Sequence, residues 1–259
     1  MVILFLFRMH IAVKFAYDGS KFNGYARQPS LKTVEGEIIK ALIKHGFIED
    51  TSESFFKSGS RTDKGVSALS NIISFITDSS KKSVLQNLSD EFTDIIFYGI
   101  KQVESDFNPR YAKMRWYRYY LSKDDLDLDK ILANTVCFTG EHNFSNFARI
   151  EPFRDPIRII DNIVFTENED FLIVDFFAQT FLWHQIRRII SALVKVGSGR
   201  ILKEQIVEAL CNTDKKVDFG LAPAKPLILK DIFYDFEFDY DIELLNKLDD
   251  LEIRIVSTL

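Results

Sequence analysis

The feature that most constrains this chain is a series of short apolar runs separated by polar turns, with only a few helical patterns between them. Residues 10–17 (HIAVKFAY), 70–77, 94–103, 114–122 (MRWYRYYLS), 157–166, 171–179 and 227–238 read as strands, with a further one around 54–58. The runs at 157–166 and 171–179 are divided only by ENED, so they can pair as antiparallel neighbours. Residues 33–46 (TVEGEIIKALIKHG) carry apolar side chains at 34, 38, 39, 42 and 43, with Thr33 as a cap and a stop at Gly46. Further helices are expected at 81–92, 126–134, 181–196 and 202–211. Strands and helices mixed in this order give α+β rather than a doubly wound parallel sheet.

A boundary near 104–108 (ESDFN) divides the chain into an N-terminal domain, 9–105, and a C-terminal domain, 106–259. The opening MVILFLFR has six consecutive apolar residues after Met1, too few to span a bilayer, and no small-residue cleavage site follows. Residues 1–8 therefore read as an upstream extension, no membrane partner is expected, and the cytoplasm is the expected compartment.

Neither half contains G-x-G-x-x-G or a P-loop, which argues against a nucleotide cofactor. Cys137 and Cys211 form no C-x-x-C pair, and the four histidines show no ligand spacing, so no metal site is expected.

The net charge of −5 argues against a nucleic-acid partner until its distribution is considered. The stretch 235–252 holds eight acidic residues and one Lys, whereas 184–203 carries five Lys/Arg and 107–120 carries four, both without an acid. Such basic stripes can form an electrostatic footprint for RNA on an acidic protein.

Three segments carry candidate chemistry. In SGSRTDKGVSALS (58–70), Asp63 is the only acid within nine residues on either side, and it lies between Gly59 and Gly65. Such glycines allow a backbone to approach a ligand closely, although a charged tetrapeptide between glycines is also an ordinary solvated turn. Residues 107–120 interleave Arg110, Arg115 and Arg118 with Tyr111, Trp116, Tyr117 and Tyr119. On a strand, Arg115, Tyr117 and Tyr119 would share one face and Trp116, Arg118 and Tyr120 the other. Cations beside flat rings suit an unstacked base, and they equally suit a sheet core edged by snorkelling arginines. In the helix at 181–196, positions 184, 187, 188, 191 and 195 form a polar stripe opposite Ile186, Ile189, Ile190, Leu193 and Val194. If Arg187 points inward it needs a carboxylate, for which Asp63 is a candidate.

The ordered motifs AVKFAYDGSKFNGYARQP, SRTDKGVSAL, FNPRYAKMRWYRYYL, FLWHQIRRIISALVKVGSGR and LAPAKPLILKDIFY resemble the TruA family of tRNA pseudouridine synthases, in its archaeal and eukaryotic branch. The chain departs from the family pattern at Ser60, Pro109 and Tyr25, and Ser67 stands where bacterial members have His. By the resemblance, Asp63 is the catalytic aspartate, Tyr117 stacks on the target base, and Arg187 pairs with the aspartate. Leu227 or Leu229 walls the pocket. Substrate contacts are implied for Tyr17, Asp18, Arg27, Gln28, Arg61, Thr62, Lys64, Arg110, Arg118, His184 and Arg188.

The resemblance further implies two similar α+β halves whose mostly antiparallel sheets join into one extended sheet flanked by helices, with the active cleft between them. It implies a homodimer acting on tRNA at positions 38–40 of the anticodon stem-loop, without a cofactor. The competing expectation is a tRNA-binding or tRNA-folding protein that has lost catalysis, in which Asp63 would be dispensable.

Overall fold

A computed structural model describes residues 8–259, and the extension read at 1–8 falls, apart from Arg8, outside them. The chain is an α+β protein that forms two compact units. One runs up to Lys113 and includes Leu229–Leu259; the other is Met114–Ile228. The sequence reading kept 106–259 together, whereas residues 229–259 group with the N-terminal part. Their side chains account for this. Lys14 pairs with Asp231 at 2.7 Å, Lys81 with Asp239 at 2.6 Å, and a strand at 239–240 completes a sheet edge in the first unit.

The first unit opens with β1 (Met9–Tyr17), α1 (Val34–Lys44), β2 (Lys57–Ser58), β3 (Ser67–Thr77), α2 (Lys81–Glu91) and β4 (Ile95–Gln102). The Thr33 hydroxyl accepts from Gly36 N–H, as its N-cap position demands, and Val34, Ile38, Ile39 and Leu42 bury the apolar face of α1. β1 pairs antiparallel with both β3 and β4 and is buried along nearly its whole length. The expected strand at 54–58 shrinks to the two residues of β2, because residues 51–55 turn and Phe55 takes a φ of 50°.

The second unit contains β5 (Met114–Ser122), α3 (Leu128–Thr135), β6 (Gly140–Asn143), β7 (Ile157–Ile160), β8 (Asn162–Glu167), β9 (Phe171–Ala178), α4 (Gln185–Gly197) and α5 (Lys203–Cys211). β9 pairs antiparallel with β5 and with β8, and β6 pairs with β7 in a separate two-stranded sheet. The run read as one strand at 157–166 is therefore two. Asp161 N–H donates to Phe177 O and interrupts it, so its two parts serve different sheets. α4 presents Ile186, Ile189, Ile190, Leu193 and Val196 to the core and packs against α3. Gly197 lies so close to Ile131 that an added Cβ would be 2.8 Å from it.

The chain then forms β10 (Leu227–Phe233), β11 (Asp239–Tyr240), α6 (Ile242–Leu245) and α7 (Lys247–Val256). The strand expected to continue to 238 stops at Phe233. In the first unit, the sheet order is β11-β4-β1-β3-β10, with β2 on β3. The acidic stretch near the C-terminus, read for charge alone, folds into α6 and α7. Asp241 caps α6, and Leu251 and Ile255 are buried. No helix among the described residues is long and apolar enough to cross a membrane.

Candidate active site

In the first unit, the loop carrying Asp63 is held from below and behind by the segment that follows β1. Asp18 accepts from Ser20 N–H and turns the chain at Gly19–Lys21. Buried Gly19 then donates its N–H to the Ser67 hydroxyl at 3.0 Å. A Cβ on Gly19 would sit 2.1 Å from Val66 O, so only glycine lets the two backbones come this close. Tyr25 N–H donates to Thr62 O at 3.2 Å, and the Tyr17 and Thr62 hydroxyls are 2.8 Å apart. Val66 N–H closes the loop on Asp63 O at 3.1 Å.

The loop's entry is equally tied. The side chain of buried Asn71 accepts from Ser60 N–H at 3.1 Å and donates to Ser60 O at 2.8 Å. The β1–β3 register slips by one residue between Phe15 and Tyr17, a bulge that opens the sheet where the loop emerges.

Asp63 is half-buried on this scaffold, while Arg61 and Lys64 are exposed beside it. Ser67, noted above as a departure from the motif, acts here as a buried acceptor for Gly19. Beneath the loop, Tyr25 is fully buried, and burial pushes its phenol well above the ordinary range.

The other first-unit candidates lie at its surface. Arg27 donates its backbone N–H to Glu35 Oε2 at 2.9 Å, Gln28 is exposed, and Arg110 donates its backbone N–H to Asn108 Oδ1 at 3.1 Å.

In the second unit, β5 divides its side chains as its alternation predicts. Arg115, Tyr117 and Tyr119 are buried on one face. On the other, Arg118 forks onto Asp175 with Nε and Nη2, both at 2.9 Å, and the Trp116 indole donates to the same carboxylate at 2.6 Å. This charge-assisted pairing raises the Arg118 pKa and ties the side chain to β9.

Tyr117 meets Phe181 edge-on at 5.4 Å. The chain then reaches His184, whose φ of 65° ends the incoming segment and starts α4 at Gln185 rather than at the expected 181. The Gln185 side chain accepts from Leu182 N–H at 2.8 Å and helps to fix that start.

Arg187, in the first turn of α4, is clasped twice by the same residue. Its Nε donates to Ala222 O at 2.8 Å, and its carbonyl accepts from Ala222 N–H at 3.2 Å. The LAPAK segment, not only the helix, therefore sets the guanidinium. Tyr119 also lies beside it. Its hydroxyl donates to Pro223 O at 3.2 Å, and burial raises its pKa while the Arg187 charge opposes the rise. Tyr117 with Phe181 and Tyr119 with Arg187 thus form two pairs within this unit, and Tyr117 and Tyr119 stand on one face of β5. Arg188 instead turns to Asp218 at 2.7 Å. Leu227 and Leu229 are both buried, and of the two only Leu227 retains any accessible surface, at 6 %.

Sequence reasoning missed Phe181, Asp175 and Ala222 as organisers of these groups, and gave Tyr119 only its place on the Tyr117 face. Phe181 and Ala222 stand inside two of the motifs, which was the available signal.

A family model described as tRNA pseudouridine synthase matches residues 135–235. A tRNA pseudouridine synthase A of Thermococcus sibiricus is 44% identical over 244 residues, 93% of this chain and 91% of the relative. Its counterpart from Thermococcus kodakarensis is 40% identical, covering 87% and 85% respectively. That of Pyrococcus furiosus is 40% identical, covering 92% and 89%. These likenesses define the class of the chain as an isomerase that acts on tRNA uridine. Within that class, it belongs to the tRNA pseudouridine synthase A (TruA) family.

Proposed function

We propose that the chain converts uridine to pseudouridine at positions 38–40 of the tRNA anticodon stem-loop, and that Asp63, Tyr117 and Arg187 act on the same uridine. The observation that carries the reading is the double immobilisation of the Asp63 loop, by Gly19 and Tyr25 on one side and Asn71 on the other. An ordinary solvated turn has no need of such anchoring, whereas a reacting carboxylate must be held to within a fraction of an ångström.

The reaction breaks the N1–C1′ bond, turns the uracil and forms C5–C1′. C5 gives up its proton and N1 gains one, so nothing is consumed. An ionised carboxylate suits this chemistry as a nucleophile or base at the reacting centre. The target nucleotide must leave its stack, which costs on the order of a few kcal/mol. The Tyr117 ring would return roughly 1–3 kcal/mol by stacking on it. Arg187, fixed by Ala222, would present its guanidinium to the same uridine. Leu227 would supply apolar surface to the base.

The same reading makes Arg61, Thr62, Lys64, His184 and the surface residues Arg27, Gln28 and Arg110 contacts for RNA. It also includes a homodimer working in the cytoplasm, which sedimentation of the purified chain and its location in cells would test. Pseudouridine mapping on unmodified tRNA transcripts treated with the protein tests the chemistry and the position together. Pseudouridine at 38–40 supports the proposal, pseudouridine elsewhere overturns the position, and its absence overturns the reaction.

A further inference from the structure

Beside the start of α4 lies a cation–aromatic pair to which neither the core nor the residues above give a role. The Arg149 guanidinium sits over the Trp183 indole, 4.1 Å from its centroid. Trp183 is 41% exposed, and Arg149 is exposed as well. Their backbones are joined by an isolated antiparallel bridge, in which Arg149 N–H donates to Trp183 O at 2.8 Å. The pair is therefore built in advance rather than formed by chance between two mobile side chains. His184 adds a third flat group, its ring 5.1 Å from that of Trp183 and aimed by a left-handed backbone.

A tryptophan left 41% exposed gives up part of what full burial would contribute, and His184, at a φ of 65°, carries strain that the surroundings must offset. Such strain collects at ligand sites. Flat rings and guanidinium planes at a surface are what unstacked bases lie on. The sequence nearby is basic, since 184–203 carries five Lys/Arg and no acid, although Arg188 is matched by Asp218. The chain also connects this pair to the candidate active site. Phe181, against Tyr117, precedes Trp183 by two residues, and Arg187 follows it by four.

We propose that Arg149 and Trp183 form a stacking platform for an unpaired base of the substrate RNA, one that flanks the target uridine. This rests on the isomerase reading for the identity of the RNA, and it adds a second nucleotide contact in the same unit. The platform would hold the displaced strand in register while the target lies beside Tyr117.

The test uses the full chain and an unmodified tRNA transcript. Trp116 is the only other tryptophan, so a Trp116→Phe protein reports on Trp183 alone. Its emission is expected to be quenched on addition of the transcript. Trp183→Ala is expected to raise the dissociation constant by about fivefold to a hundredfold, the range of aromatic–base stacking. Trp183→Phe should recover most of that loss, and its thermal midpoint should fall by no more than a few degrees because the ring is partly exposed. Unchanged emission together with unchanged affinity in Trp183→Ala overturns the platform. If the wild-type chain makes pseudouridine and these two readouts stay flat, only the platform fails. If it makes none yet the emission is quenched, the platform stands as an RNA site and the isomerase reading fails.

Discussion

Replacing Gly19 by alanine places a methyl group 2.1 Å from Val66 O, 2.4 Å from its carbonyl carbon and 2.9 Å from Ser67 N. All three atoms are backbone, so no side-chain rotation relieves the overlap. The two segments must separate by about 1 Å, and a displacement of that size at a catalytic group costs roughly 100-fold in rate. The movement reaches Asp63 directly, because Val66 N–H is bonded to Asp63 O. Stability should fall by about 1–3 kcal/mol, the usual cost of overpacking. At roughly 2–4 °C per kcal/mol for a chain of this size, the melting point should drop by several degrees.

Gly46→Ala is the control. Gly46 has a φ of +68° but nothing within 4 Å of its would-be Cβ. That substitution should cost about 1–2 kcal/mol of left-handed strain and leave turnover alone. The assay is kcat/KM for pseudouridine formation on a tRNA transcript, read beside thermal melting. A Gly19→Ala protein with kcat/KM within twofold of the parent refutes the claim that this contact sets the Asp63 loop. So does a Gly46→Ala protein that loses as much activity as Gly19→Ala.

Ser67→Ala removes the acceptor of the buried Gly19 N–H, and should destabilise by about 1–3 kcal/mol with some loss of activity, measured by melting and initial rates. Asp175→Ala removes the carboxylate shared by Trp116 and Arg118. It should cost about 2–4 kcal/mol by denaturant titration, less than a fully buried pair because the Arg118 side chain keeps 21% exposure. His10 is buried, and burial lowers its pKa from the ordinary 6.5, so the unfolded chain takes up the proton first as the pH falls. Its contribution to stability is therefore complete above pH 6.5 and lost progressively below it. The melting point should decline more steeply below that pH in the parent than in a His10→Gln protein.

Much of the architecture was legible because strands and helices write their periods into the chain. The alternation of MRWYRYYLS sorts Tyr117 from Arg118 without coordinates, and β5 obeys it. What escaped depends on partners distant in sequence. GEHN is too polar to announce itself, yet it becomes β6 because β7 offers it a ladder. The start of α4 moves to Gln185 because His184 adopts a left-handed conformation that no apolar period encodes.

The candidate site divides in the same way. Asp63, Tyr117 and Arg187 could be nominated from motifs. The reason the Asp63 loop is rigid could not, since it lies in the approach of Gly19 to Val66, residues far apart in sequence. The resemblance and the local charge both offer Arg118 and Arg188 to RNA, but each has an acidic partner, Asp175 and Asp218 respectively. Net charge counts cannot separate a cation that faces solvent from one already matched by the fold.

The most direct test is a single-turnover measurement of pseudouridine formation by Asp63→Asn, at protein concentrations that saturate binding of the transcript. The substitution keeps the shape and the loop's backbone bonds, and takes away only the negative charge. The account predicts tRNA bound about as tightly as by the parent and a rate lower by at least about a thousandfold, the scale of losing a nucleophile or base. A rate equal to the parent's would contradict it.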